Sequence, residues 1–409
     1  MPRDPKTPAN DLAQLRLLLE ELCCDLCRFE HTHKDGCKPE DVRIDREFPL
    51  GGAFADIRVE PPGQRAYFVE VKFGYSPELL RRHLRQKYSP GTRGGEAEAR
   101  VILVISRHGL DRAALLRDLE RDLGAHIEIE IWDEERLSAL MRELFQTSFD
   151  AITAENLIDL RQAIDRAKGF IAFGGTSFDS YENDPLRAQL IWHFSFWRLR
   201  QLRERHGYAP RDFLSPGMYE GVAVLLADLC SFSSYVRDTP GSEIIRDNLT
   251  AFYSKARYQI INNGGMIYQF VGDEAIGLFG IPEADDNFLM KALATAEALG
   301  NIGLSVSRQW QRRIDRVQTS GGLHTGMATG TLQIVSLRPY SRLHIGAIGD
   351  CINVAARLMS AADASETVVS NAFYQGLPED VQARFRDTDP VEARNVGRIK
   401  AWKLGAPQS

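Results

Sequence analysis

The sequence has no long hydrophobic run. Nowhere in its 409 residues does an apolar stretch approach the roughly 20 residues that a bilayer-spanning helix needs. The opening Met1-Pro-Arg-Asp-Pro-Lys-Thr-Pro8 also lacks the apolar core of a secretory signal. A cytoplasmic protein without a membrane partner is the expectation. Neither sign of charge dominates: 50 Lys and Arg against 56 Asp and Glu leave a net charge of −6, which excludes a global attraction to nucleic acid. Cysteine is scarce, at six residues, and a disulfide framework is not expected in a reducing compartment. Four of the six (Cys23, Cys24, Cys27, Cys37) crowd near the N-terminus, with His31 and His33 between them. The Cys24-x-x-Cys27 spacing suits zinc, but Leu15 to Leu26 reads as a helix whose apolar face includes these cysteines.

What is present is organised around Val222-Ala-Val-Leu-Leu-Ala-Asp228, an apolar run that ends on a carboxylate and meets a polar turn. Such a run reads as a strand buried on both faces. Further on, two β-prone halves in Tyr268-Gln-Phe-Val-Gly272-Asp273-Glu-Ala-Ile-Gly-Leu-Phe-Gly280 flank a Gly-Asp pair, a hairpin signal with the acid at its tip. Two carboxylates at the ends of adjacent strands form a site for hard divalent cations. Gly322-Leu-His-Thr-Gly326-Met-Ala-Thr-Gly330 follows, and then Ile348-Gly-Asp350-Cys-Ile-Asn353-Val-Ala-Ala-Arg357.

In that order and spacing, about residues 217 to 405 resemble the catalytic domain of the class III nucleotide cyclases, the adenylate and guanylate cyclase superfamily. The resemblance implies an α+β fold with a ferredoxin-like βαββαβ core. Its elements would be strand 222–228, helix 242–262, hairpin 266–280, helix 286–310, strand 320–327 and a segment around 343–349. The implied reaction is attack of a ribose 3′-hydroxyl on the α-phosphorus of a nucleoside triphosphate, with loss of pyrophosphate. Asp228, Asp273 and the Leu229 carbonyl match the family's ligands for two Mg²⁺ or Mn²⁺ ions per active site. The backbone amides of Cys230, Ser231, Phe232 and Ser233 match its triphosphate cradle. Asn353 and Arg357 match the pair that orients ribose and neutralises the transition state, four residues apart on one helix face. The family builds each site from two subunits, so a homodimer with composite active sites is implied. For its late phosphate-binding lysine, Arg394 and Lys400 are the candidates.

The base-reading positions depart from the purine pattern. Gln269 stands four residues before Asp273, where purine cyclases carry Lys or Glu, and Gly346 stands seven before Asn353. A glutamine amide can pair with uracil, guanine or, flipped, adenine. Tyr268 beside it would narrow the pocket if it turned inward, though strand alternation admits only one of the two. A cyclase with an unusual base pocket and an N-terminal accessory domain is similar to the pyrimidine cyclases of bacterial antiphage signalling. In that family cyclic UMP or cyclic CMP activates a separate effector protein. UTP is favoured as substrate, with a purine cyclase as the alternative.

Residues 1–145 read as an α/β unit: helix 12–29, strands 42–48, 53–59 and 66–72, an Arg-rich helix 77–88, strand 100–106, helix 111–123, strand 127–132 and helix 133–145. Asp56 followed by Glu70-Val71-Lys72 resembles the PD-(D/E)xK motif of the restriction-endonuclease-like fold, over about residues 10 to 145. That would make Asp56, Glu70 and Lys72 a second metal site. Arg81, Arg82, Arg85 and Lys87 would contact phosphates if the unit binds nucleic acid. A metal-dependent nuclease with a regulatory cyclase-like half, and a nucleotide-binding regulator without turnover, are the competing readings. Residues 146–216 read as a linker, with a loop at 170–183, a long amphipathic helix over about 186–205 and a break at 207–217; the resemblance to the cyclases implies that this helix supports a dimer.

Overall fold

The computed structural model describes residues 8–88, 99–107, 111–124, 127–147, 151–174, 185–318, 320–337, 344–393 and 397–405. The chain folds as two compact units, residues 1–168 and 169–408. Among the described residues, no helix is long and apolar enough to cross a membrane.

The first unit opens with α1 (Pro8–Lys34), longer at both ends than its apolar pattern predicts. Strands β1 (Arg43–Leu50), β2 (Ala53–Glu60) and β3 (Tyr67–Val71) pair antiparallel. Helix α2 (Pro77–Tyr88) then crosses to β4 (Ala99–Val104), and α3 (Arg112–Leu123) to β5 (Ile127–Trp132). Those crossovers make β3, β4 and β5 parallel, so the sheet runs β1-β2-β3-β4-β5. Helix α4 (Glu134–Phe145) follows, N-capped by Asp133. On one sheet face Leu80, Leu84 and Tyr88 of α2 and Leu115, Leu119 and Leu123 of α3 pack against Phe68, Val101, Leu103 and Ile131. Cys23, Cys24 and Cys27 are buried within α1. Burial pushes the Cys24 thiol up to about 12, which disfavours the thiolate that zinc requires.

Helix α5 (Leu157–Phe173) runs across the boundary between the units. The long lead-in helix is two helices, α6 (Pro185–His193) and α7 (Phe196–His206). Ser195 breaks it: its backbone is extended and its hydroxyl accepts from the Arg198 amide, so the chain starts a new helix there. The first of them packs beside the second sheet. His193 Nδ1 lies 2.5 Å from the Ile267 carbonyl, and Arg257 donates to the carbonyls of Ile191 and Trp192.

That second sheet holds the expected core. Strand β6 (Gly217–Leu229) leads through the short α8 (Phe232–Asp238) into α9 (Ser242–Asn262), and β7 (Met266–Val271) and β8 (Glu274–Phe279) form the hairpin. Helix α10 (Phe288–Ile314) returns to β9 (Leu323–Leu337). The order β9-β6-β8-β7, with all neighbours antiparallel, is that of a split βαββαβ unit. Strand β10 (His344–Ile348) pairs back on β9 as a hairpin and is not a further core strand. Helix α11 (Asp350–Ser360) then precedes β11 (Glu366–Ser370), which lies parallel to β9. The short α12 (Asn371–Gln375) and α13 (Glu379–Gln382) lead to β12 (Arg386–Ala393) and β13 (Gly397–Leu404), which widen the sheet to eight strands.

Candidate active site

Strand β6 sets the geometry by alternation. Ala223, Leu225, Ala227 and Leu229 enter the core beneath α9 and α10, packing on Phe252, Ile260, Leu299 and Ile302. Asp228 therefore points to the opposite face. Asp273 stands at the tip between β7 and β8, after Gly272, whose φ of 63° is the left-handed conformation that glycine adopts without cost. In the sheet Asp228 sits opposite Glu274 on one side and His324 on the other.

The two aspartates meet. Burial, then the charge of Asp228 and a hydrogen bond to it, push the Asp273 carboxyl up to about 7. Two carboxyls sharing one proton are a ready exchange site for a hard cation, which satisfies both oxygens at once. Their donor chemistry fits Mg²⁺ or Mn²⁺. Glu274 is also raised, by burial and by Asp228. Leu229 closes β6 with its side chain in the core.

Helix α11 lies across the same sheet face, and glycine makes that possible. A Cβ on Gly326 would meet the Ala355 carbonyl at 2.1 Å and the Met359 amide at 2.3 Å, and one on Gly330 would meet Cys351 Cβ at 2.8 Å. Backbone rests on backbone there, so Cys351, Ala355, Leu358 and Met359 are buried against β9. Asn353 and Arg357, one turn apart, remain on the exposed side.

The expected phosphate turn is only partly available. The Cys230 amide donates to the Gly322 carbonyl at 3.0 Å, so it is spent inside the fold and cannot meet a phosphate. Ser231 has φ 60°, and its hydroxyl lies 2.7 Å from that of Ser320. The amides of Phe232 and Ser233 open the first turn of α8, where helical N–H groups lack intrahelical acceptors.

At the base-reading positions, Gly346 is buried in β10 opposite Val335. The pairing of β7 steps from Ile267↔Gly277 to Gln269↔Ile276, which leaves Tyr268 as a bulged residue. Alternation therefore does not separate Tyr268 from Gln269, contrary to the sequence expectation. The Tyr268 hydroxyl reaches β10 and accepts from the Ala347 amide at 3.1 Å, next to Gly346. Gln269 is half-buried beside it.

Arg394 lies outside the described residues. Lys400 is exposed, its Nζ 4.9 Å from the Trp402 ring centre. Trp402 stacks on Tyr374 at 3.8 Å and packs on the helix-side core, the face away from Asp228. The neighbouring Lys403 is paired with Glu366 at 2.9 Å.

Sequence reasoning missed Tyr253 of α9. Its hydroxyl donates to the Gly272 carbonyl and its ring stacks on Phe270 at 4.2 Å, fastening the tip that carries Asp273. A half-buried tyrosine on a long helix gives no local sign of this.

In the first unit, Asp56, Glu70 and Lys72 do come together. On α2, Arg81 and Arg85 pair with Asp118 and Asp122 of α3, while Arg82 is exposed. Lys87 is turned inward onto Glu70.

Residues 214–406 match the model of the adenylate and guanylate cyclase catalytic domain. This part of the chain is thus a class III cyclase catalytic domain. An uncharacterized protein of Mycobacterium bovis is 26% identical over 188 residues, which is 46% of this chain and 31% of that protein. An adenylate cyclase of Mycobacterium tuberculosis is 23% identical over 186 residues, covering 46% of this chain and 40% of the relative. The chain thus spans about a third of the length of the curated relatives it matches. The crystal structure of the adenylyl cyclase CyaB from P. aeruginosa aligns over 48% of this chain and 98% of its own, at 20% identity and a TM-score of 0.42.

Proposed function

We propose that this chain is a nucleotide cyclase, forming a 3′,5′-cyclic nucleotide and pyrophosphate from a nucleoside triphosphate. The observation that carries this reading is the meeting of Asp228, at the end of β6, with Asp273, at the β7–β8 tip, on the sheet face where α11 presents Asn353 and Arg357. Bound Mg²⁺ or Mn²⁺ would supply acidification of the 3′-hydroxyl and neutralisation of the triphosphate. Asp228, Asp273 and the Leu229 carbonyl would hold it. The 3′-oxygen bonds to the α-phosphorus as the bond to the β-phosphate bridging oxygen breaks; the hydroxyl proton goes to solvent. Arg357 donates to the α-phosphate as negative charge builds there, and Asn353 orients the ribose. The amides of Phe232 and Ser233 receive the β- and γ-phosphates. In a homodimer, Asp228 and Asp273 of one subunit face Asn353 and Arg357 of its partner.

For the base, UTP is the preferred substrate and cyclic UMP the product. The Gln269 amide complements the N3–H and O4 of uracil, and the bulged Tyr268, anchored on Ala347, narrows the space beside Gly346. An antiphage second messenger read by a separate effector protein is the role that follows. A purine cyclase is the second reading, favoured by the relative named an adenylate cyclase. Incubating the purified chain separately with ATP, GTP, CTP and UTP plus Mn²⁺, and identifying products by mass, decides between them. Dominant cyclic UMP supports the pyrimidine reading, and cyclic AMP or cyclic GMP overturns it.

A further inference from the structure

The Asp56 and Glu70 carboxylates of the first unit are saturated by protein donors. Glu70 is wholly buried in β3; its Oε1 accepts from the Tyr88 hydroxyl at 2.7 Å. Its Oε2 takes Lys87 Nζ at 2.6 Å and Lys72 Nζ at 2.8 Å. Asp56 Oδ2 accepts from the Val71 amide at 2.7 Å and from Lys72 Nζ, while its Oδ1 faces Lys87 Nζ at 3.5 Å. Every carboxylate oxygen is thus engaged, and two ammoniums balance two carboxylates. Burial alone would lower the Lys72 pKa, but the charges of Asp56 and Glu70 outweigh it and hold the ammonium above its ordinary range.

A divalent cation needs six or more oxygens, several of them from water, and a net negative cage. This cluster offers neither. Lys87 and Tyr88 end α2, whose Leu80 and Leu84 are fixed in the core, so the ammonium is delivered by a rigid element. We propose that Lys87 is a built-in cation bridging Asp56 and Glu70 in the place a metal ion would take, so that the first unit is a metal-free module that does not cleave nucleic acid. The cluster latches α2 onto the sheet.

The test uses the full chain with Asp228→Asn and Asp273→Asn, which removes the other carboxylate pair. Mn²⁺ uptake is followed from the electron paramagnetic resonance of the free ion. With Lys87 intact, no Mn²⁺ is taken up at concentrations that saturate the unsubstituted chain. Adding Lys87→Met uncovers two carboxylates against one ammonium, and one Mn²⁺ per chain is gained, then lost again on Glu70→Gln. Uptake by the Lys87-intact chain that Glu70→Gln abolishes would overturn the proposal. So would a folded Lys87→Met chain that gains nothing. Should Lys87→Met not fold, Lys87→Gln replaces it, and the Lys87-intact titration still decides. Glu70-dependent cleavage of single- or double-stranded DNA or RNA with Mn²⁺ present would equally overturn it.

Discussion

Asp273 and Asp228 are hydrogen-bonded to one another, and the Asp273 carboxyl holds its proton up to about pH 7. A metal ion must displace that proton. Apparent Mn²⁺ affinity should therefore strengthen by up to about tenfold per pH unit on rising toward 7, and level off above it. Calorimetric titration between pH 5.5 and 8.5 reads this directly. The linkage also sets a sign for stability. A carboxyl raised in the folded state contributes stability that is present at low pH and lost as pH rises toward 7, so the metal-free chain should melt lower at pH 7.5 than at pH 5.5 from this pair. Asp273→Asn should remove the pH dependence of both quantities and abolish cyclisation. A flat Mn²⁺ affinity in the unsubstituted chain would contradict the shared proton.

Tyr253 fastens the Gly272–Asp273 tip from α9. Tyr253→Phe keeps the ring stack on Phe270 and deletes only the donated hydrogen bond. A neutral hydrogen bond contributes about 1 kcal/mol, or about fivefold in a binding constant. The Mn²⁺ concentration for half-maximal activity should rise by about that factor, with the circular dichroism spectrum and the nucleotide KM at saturating metal unchanged. An unchanged metal dependence would remove Tyr253 from the site.

Gly326 is where α11 rests on β9. Gly326→Ala puts a methyl against the Ala355 carbonyl and the Met359 amide, which are backbone and cannot rotate away. Overpacking of this kind costs about 1–3 kcal/mol. The larger effect should be on activity, because α11 carries Asn353 and Arg357, and a displacement near 1 Å can cost about 100-fold in rate. A loss in kcat far exceeding the loss in thermal stability is the expected signature. Equal, small losses in both would mean that α11 accommodates the methyl.

These elements show what a sequence exposes and what it conceals. The run Val222–Asp228 and the Gly-Asp hairpin announced themselves because alternation and turn chemistry are local. Gly326 and Gly330 stood out as a motif, but their reason, a helix laid on a strand, exists only in three dimensions. The bulge at Tyr268 has no local sign, since one extra residue looks like any other strand residue. Strands β11 to β13 went unread because Glu366–Ser370 is five residues long and packs beside a strand far away in sequence. Lys87 was read with Arg81, Arg82 and Arg85 as a phosphate contact, although Leu84 and Tyr88 flank it on the buried side of α2. A charge count hid what helical spacing could have shown. Ser195 likewise split a helix whose apolar pattern continued through it.

The homodimer has the sharpest test. If each site takes Asp228 and Asp273 from one subunit and Asn353 and Arg357 from its partner, single defects on opposite halves should complement. An Asp228→Ala chain and an Arg357→Ala chain are each expected to be inactive alone. Mixed in equal amounts and allowed to exchange, half of the dimers pair unlike subunits, and each such dimer has one intact site and one doubly defective site. Activity should recover to about one quarter of the unsubstituted level. The recovery should follow the rate of subunit exchange and be absent when the two substitutions are placed in the same chain. If both halves of a site came from one subunit, mixing would restore nothing.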